Sequence, residues 1–149
     1  MHPFYGRVTD RARRSLEFAN ILAMSKKHPL VTSLHVLYGI LEEGKNVAST
    51  VLADMKVDVK KLKEEIEEKL GDGKYQTHDR AVCYDEDVRQ LICDSITLGL
   101  KAQRVVGCHH LLQAMLANDV SPASRLLDKW KVTQELVDAH MGAVVKSVT

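Results

Sequence analysis

Through most of the 149-residue chain, apolar and small residues recur every three or four positions, the spacing that lays one stripe along a helix. Thr9 is a good N-cap, and behind it Ala12, Leu16, Ala19 and Ala23 predict a helix running to about Lys27. Its small-residue face would let another helix approach closely. Thr32 or Ser33 starts a short helix through Leu41 that Gly44 stops. Asn46 caps a third, carrying Val47, Val51 and Leu52. Asp58 caps a fourth, with Val59, Leu62, Ile66 and Leu70 inside and Lys60 and Lys61 placed to pair with Glu64 and Glu65 at i,i+4 outside. Gly71-Asp72-Gly73 ends it.

The pattern then repeats. The block His35-Val36-Leu37-Tyr38-Gly39-Ile40-Leu41, with Ala48, Ser49, Leu52, Lys56 and Val57 behind it, returns as His110-Leu111-Leu112-Gln113-Ala114-Met115-Leu116, Ala123, Ser124, Leu127, Lys131 and Val132. The offset is seventy-five positions (35 to 110) with no gap inside the block. Upstream, Asp85 caps a stripe of Val88, Ile92, Ser95 and Gly99 at an offset of seventy-six from Thr9 (9 to 85), so copy two has lost one residue in the following loop. Gly107 precedes the helix of Leu111, Leu112, Met115 and Leu116. Ser121-Pro122 is an N-cap followed by proline at the first helical position. Thr133 caps a last helix with Leu136, Val137, Met141, Val144 and Val145.

The predicted fold is all-α, with eight short helices in two tandem four-helix repeats related by a pseudo-twofold axis. Repeat one covers 4–70, a polar linker 71–83 and repeat two 84–146, inside a single domain of 1–149. No strand is predicted. About sixty residues of short helices give only a marginal core, so the copies are expected to pack together. The loops after the first helix of each copy would lie near their seam, making a groove for a partner.

Charge narrows the function classes. Twenty-one cations against twenty anions give a formal net charge of +1, which leaves no field to gather nucleic acid or an anionic membrane. The short helices could suggest a helix-turn-helix, but they alternate charge sign instead of presenting a cationic face. No apolar run has the length a bilayer requires, and Met1-His2-Pro3-Phe4-Tyr5-Gly6-Arg7 lacks the marks of a secretory signal. A cytoplasmic setting, or an organelle stroma, is the expectation. Cys83, Cys93 and Cys108 are odd in number and show no framework spacing, which suits reduced thiols.

Candidate chemistry does not assemble. Gly39 to Asn46 fits the Walker A spacing up to its last position. It follows a helix instead of a strand, ends in Asn46, and puts Glu42 and Glu43 where phosphate would sit. Cys108, His109 and His110 could suggest a metal site, with His28 and His35 as further ligand types and metal-assisted hydrolysis as the enzymatic alternative. Three adjacent residues on a helix point apart, however, and cannot reach one ion. His35 and His110 read as equivalent, partly buried residues that hydrogen-bond neighbouring backbone. No orienting carboxylate or nucleophile elbow accompanies Cys93 or Cys108. Trp130 aligns with Met55 and is expected to fill core or seam. No catalytic residue, metal or cofactor is therefore assigned.

Tyr5-Gly6-Arg7-Val8-Thr9-Asp10-Arg11-Ala12, the His35 to Leu41 block and the Ala48 to Leu52 spacing resemble the Clp N-terminal repeat domain of Clp-type AAA+ protein unfoldases, especially the ClpC and ClpA kinds. The resemblance covers nearly the whole chain and both repeats. It implies an all-helical domain seated on a hexameric unfoldase, which receives unfolded or tagged substrates and adaptor proteins and passes them to the ATPase ring or its protease. It implies no ATPase activity of its own. A free-standing accessory subunit of a Clp protease complex is the alternative.

In some ClpC-type members each repeat also binds phosphorylated arginine, using a Glu directly before the second-helix His. Here those positions hold Leu34 and His109, neither of which can grip a guanidinium through paired, charge-assisted bonds. The replacement favours apolar or neutral peptide segments over phosphorylated ones. At the matching positions Thr9 and Arg13 remain in copy one, with Asp85 and Arg89 in copy two. The expected contact region is the seam and the exposed tips near Thr9, Arg13, Leu34, Asp85, Arg89 and His109.

Overall fold

Caps set the helix boundaries. In a computed structural model, residues 8–75, 82–101 and 105–148 are described, with side chains through Gly142. The elements in chain order are α1 (Asp10–Ser25), β1 (Leu30–Val31), α2 (Ser33–Glu43), α3 (Val47–Asp54), α4 (Val59–Leu70), β2 (Cys83–Tyr84), α5 (Glu86–Lys101), α6 (Cys108–Ala117), α7 (Pro122–Lys129) and α8 (Gln134–Val148). Thr9 Oγ1 accepts from Ala12 N at 3.1 Å and Asn46 Oδ1 from Ser49 N at 2.8 Å. Asp58, Asp85, Ser121 and Thr133 accept in the same way from the third residue on. Each satisfies one of the donors that a helix start leaves open. Gly44 closes α2 in the left-handed region, at φ 73°.

The fold is all-α, as expected, with one departure: two strands of two residues. Leu30–Val31 pairs in parallel with Cys83–Tyr84, and an isolated parallel bridge joins Val8 to Val106. Two residues are too few to show alternation, and each strand's partner is distant in the chain; β2 takes in Cys83, a residue expected in the linker. The departures obey the repeat. Val8 and Tyr84 are equivalent (8 plus 76), as are Val31 and Val106 (31 plus 75). So the chain entering the first helix of one copy pairs with the chain leaving the first helix of the other, in both directions. The flanking hydrogen bonds match: Thr9 N donates to Val106 O at 2.8 Å and Asp85 N to Val31 O at 3.0 Å. Each copy thus pairs the same backbone segments with the other copy.

One continuous core serves both copies, running from Leu16, Leu37, Ile40 and Leu62 to Leu111, Met115, Leu127 and Val137. Helix α2 packs on α7 and α3 on α6, which are reciprocal contacts, and α3 also packs on α8. Within copy one, α1 crosses α2 so closely that a Cβ on Gly39 would lie 2.0 Å from Ser15 O. Two further pairs cross the seam. Lys129 Nζ lies 3.1 Å from Glu65 Oε2, and His140 Nδ1 lies 2.5 Å from Asp54 Oδ2. Asp54 is the repeat equivalent of Lys129 and Glu65 that of His140, so one arrangement occurs twice with its acidic and basic positions exchanged.

Glu65 thus meets Lys129, and Trp130 Nε1 at 3.3 Å, instead of the expected Lys61. The cross-repeat partners reach it, whereas the i,i+4 pairs on α4 are not among the ion pairs of the described residues. Trp130 packs on the edge of the core, as seam filler. Linker residues 76–81 lie outside the described residues. Its ends are held: Gly73 N donates to Lys26 O at 2.8 Å, Tyr75 N to Lys27 O at 2.9 Å, and Val82 is buried. Of the predicted apolar set on α8, Val144 and Val145 have side chains outside the described ones.

Candidate functional site

A cavity of about 530 Å³ opens where the starts of α1, α3 and α6 meet. Thr9, Asp10 and Arg11 form one wall, Lys45, Asn46, Val47 and Thr50 a second, and Gly107, Cys108 and His109 the third. Both repeats build it. Thr9 is tied to copy two by its bond to Val106 O, which draws the start of α1 against the loop before α6. Three helix N-termini meet around one hollow, so their partial positive ends add there.

The walls are braced from behind. Asn46 is buried; besides capping α3 it donates from Nδ2 to Ile40 O at 2.9 Å and to Glu43 Oε1 at 3.1 Å. Arg11 Nη1 reaches Glu43 Oε2 at 3.2 Å, which joins α1 to the end of α2. Cys108 Sγ lies 3.3 Å from Ser15 Oγ, and burial pushes its thiol up to about 11. That thiol stays protonated at neutral pH and is no nucleophile. The His109 ring lies 4.0 Å, centroid to centroid, from that of His110, and a Cβ on Gly107 would meet it at 2.8 Å.

His35 and His110 behave as equivalents. His35 Nδ1 accepts from Thr32 N at 2.8 Å and His110 Nδ1 from Gly107 N at 3.0 Å. Both are buried, at 1% and 4% exposure, more deeply than expected. A backbone N–H can only donate, so the proton of neutral His35 sits on Nε2 and points at His28 Nδ1, 2.8 Å away. His28 Nε2 then donates to Gly71 O at 2.9 Å. Among the described residues no group of three His, Cys, Asp or Glu side chains is placed to hold a metal ion.

Of the six expected contact residues, the structure brings Thr9 and His109 together, from different copies. Arg13 lies outside the cavity wall, on the surface, with Nη2 3.3 Å from Asp10 Oδ1. Leu34 is not an exposed tip: it faces the core at 7% exposure, because the inner face of α2 begins in its first turn. Asp85 caps α5, and burial raises its carboxyl above the usual range. Arg89 is exposed one turn on. Sequence reasoning missed Lys45, Val47 and Thr50. They follow a helix stop and look local, and only the reciprocal packing of α3 on α6 carries them to the wall.

Residues 7–129 match the Clp repeat (R) N-terminal domain family. The chain belongs to this family. It is 27% identical over 130 residues to the chaperone protein ClpB of Oceanobacillus iheyensis, covering 87% of this chain and 16% of that one. To the ATP-dependent Clp protease ATP-binding subunit ClpC of Staphylococcus saprophyticus it is 28% identical over 123 residues, covering 82% and 15%. The chain thus spans about one sixth of the length of these curated relatives. Among solved structures it is similar to the N-domain of ClpV from Vibrio cholerae, with TM-score 0.81, 17% identity and coverage of 96% and 87%. It is also similar to a ClpV N-domain in complex with a VipB peptide, with TM-score 0.76, 17% identity and coverage of 96% and 89%. These likenesses establish the Clp N-domain fold. No helix among the described residues is long and apolar enough to cross a membrane.

Proposed function

We propose that this Clp N-terminal domain is a protein-interaction module that recruits polypeptide substrates or adaptor proteins to a Clp AAA+ unfoldase, and that it performs no chemistry itself. The observation that carries the reading is the cavity of about 530 Å³ built across the repeat seam, with Thr9 on one side and His109 on the other. Its lining mixes the hydroxyls of Thr9 and Thr50 and the charged Asp10, Arg11 and Lys45 with the apolar Val47, which suits a peptide more than a single small reactant. A ClpV N-domain of the same fold has been captured with a peptide, and the ClpC relative is the ATP-binding subunit of a protease. The free thiols Cys83, Cys93 and Cys108 suit a cytoplasmic or stromal setting.

The cavity offers a guanidinium only Asp10, and that carboxylate already meets Arg13. The guanidinium of a phosphorylated arginine thus lacks a free carboxylate here, although Arg11, Lys45 and the helix starts would suit its phosphoryl group. On this ground neutral or apolar segments are the preferred ligands. The test is an amide-shift titration of the isotopically labelled chain with an unfolded polypeptide, and separately with free phosphoarginine. Saturable shifts at Thr9, Val47 and His109 are expected with the first and none with the second. Deleting this domain from the unfoldase should slow degradation of the same polypeptide by the unfoldase with its protease. No binding, together with unchanged degradation, would reject the reading.

A further inference from the structure

A second hollow, of about 480 Å³, lies between α1 and the segment entering α5. Leu16 and Val82, both buried, form its floor; Ile21 and Tyr84 stand as walls; Glu17 and Cys83 edge it. Ile21 is 57% exposed, although the opposite face of α1 is fully buried, so an apolar side chain borders the hollow facing water. Cys83 is also exposed and stands in register with Leu30 of β1, itself 42% exposed. The apolar surface therefore continues from the hollow onto the small sheet. The hollow is preformed: Asn20 Oδ1 accepts from Val82 N at 2.7 Å, pinning the segment to α1, while β1 holds its other edge.

Among the described residues, the charged side chain lining this hollow is acidic. Glu17 edges it, and Asp85, Glu86 and Asp87 follow directly on Tyr84. None of these four carboxylates is in an ion pair among the described residues. A carboxylate edging an apolar hollow, with three more following directly on its Tyr84 wall, favours a ligand that brings a cation with its apolar group.

We propose that this hollow docks a polypeptide segment in which an apolar side chain neighbours a lysine or arginine, the apolar group entering between Ile21 and Tyr84 and the cation meeting Glu17. The proposal rests on the interaction role above and assigns it a second, separate surface with its own sequence preference. An adaptor or substrate presenting such a segment would occupy this hollow while the seam cavity holds another stretch of polypeptide.

The test uses the intact chain and two fluorescent twelve-residue peptides, one of alternating leucine and lysine and one with glutamate in place of lysine, followed by anisotropy and by amide shifts. The basic peptide is expected to shift Ile21, Cys83 and Tyr84, and the acidic one to leave them in place. Ile21→Ser, at an exposed position, should weaken binding about tenfold, and Glu17→Gln a few-fold with a flatter salt dependence. In a Cys93→Ser background, a bulky maleimide on Cys83 should block the basic peptide and leave the unfolded polypeptide's shifts at Val47 and His109 unchanged. Equal binding of both peptides, or basic-peptide shifts confined to Thr9, Val47 and His109, would overturn this proposal and leave the interaction role standing. Failure of every peptide and polypeptide to bind would remove both.

Discussion

His35 shows how one side chain ties the fold to pH. It is buried against the start of its own helix and faces His28. Burial first, and His28 second, depress its pKa from the ordinary 6.5 to about 4. An unfolded chain takes up a proton near pH 6.5 that the folded chain refuses until about pH 4, so the unfolded state binds more protons in that window. Stability from this site is thus complete above 6.5 and is lost as pH falls toward 4, by up to about 1.4 kcal/mol per pH unit. Urea midpoints are expected to fall between pH 7 and pH 5 by an amount equivalent to about 1–2 kcal/mol, and His35→Gln to show a smaller fall from a lower start. An equal fall in both would disprove the linkage. Thiols divide the same way: Cys83 and Cys93 are exposed, whereas Cys108 is buried and protonated at neutral pH. A thiol reagent should titrate two groups at once and the third only as fast as the protein opens.

Elements meet at two places where a single atom decides the geometry. At the α1–α2 crossing, a methyl on Gly39 would run into the backbone oxygen of Ser15, which cannot rotate away. Gly39→Ala is expected to destabilise the chain by about 2–3 kcal/mol, measured as a lowered denaturant midpoint. The repeat equivalent of Gly39 is Ala114, so the constraint belongs to copy one. At the start of α3, Asn46 serves the cap and Ile40 O together, so Asn46→Ala should cost about 1–2 kcal/mol and loosen a wall of the seam cavity. The helices were legible for this reason: Thr9, Asn46, Asp58, Ser121 and Thr133 act within four residues of themselves, and stripes such as Leu62 and Ile66 follow one period. The strands were not, because the pairing of Leu30 with Cys83 depends on a segment distant in the chain. Nor was the wall at Lys45 and Thr50, whose local pattern shows only the end of one helix and the start of the next. Leu34 misled for a related reason, since a position beside a helix cap can turn inward as readily as outward.

At the scale of the molecule, the two copies are halves of one core. Leu37 and Ile40 belong to the same buried cluster as Leu111, Met115 and Leu127, and each copy supplies a strand residue, a helix face and a charged group to the other. Separated, either half would expose that face and lose the partner of its first-helix entry, leaving a core below what about sixty residues sustain. Fragments 8–75 and 82–148, made apart, are each expected to lack a cooperative unfolding transition. Mixed, they should regain helicity by circular dichroism and a single transition. Cutting an engineered protease site within 76–81 should leave the halves associated, because the paired strands and the α2–α7 and α3–α6 contacts do not need the chain intact there. The cut should still lower the midpoint, since joining the halves keeps them at high effective concentration. Two independently folding fragments would show that the copies are separate domains touching, and the seam cavity would then open and close with their relative motion. A single regained transition would show that the two walls of the cavity are set by one shared core, so that it forms only when both copies are folded together.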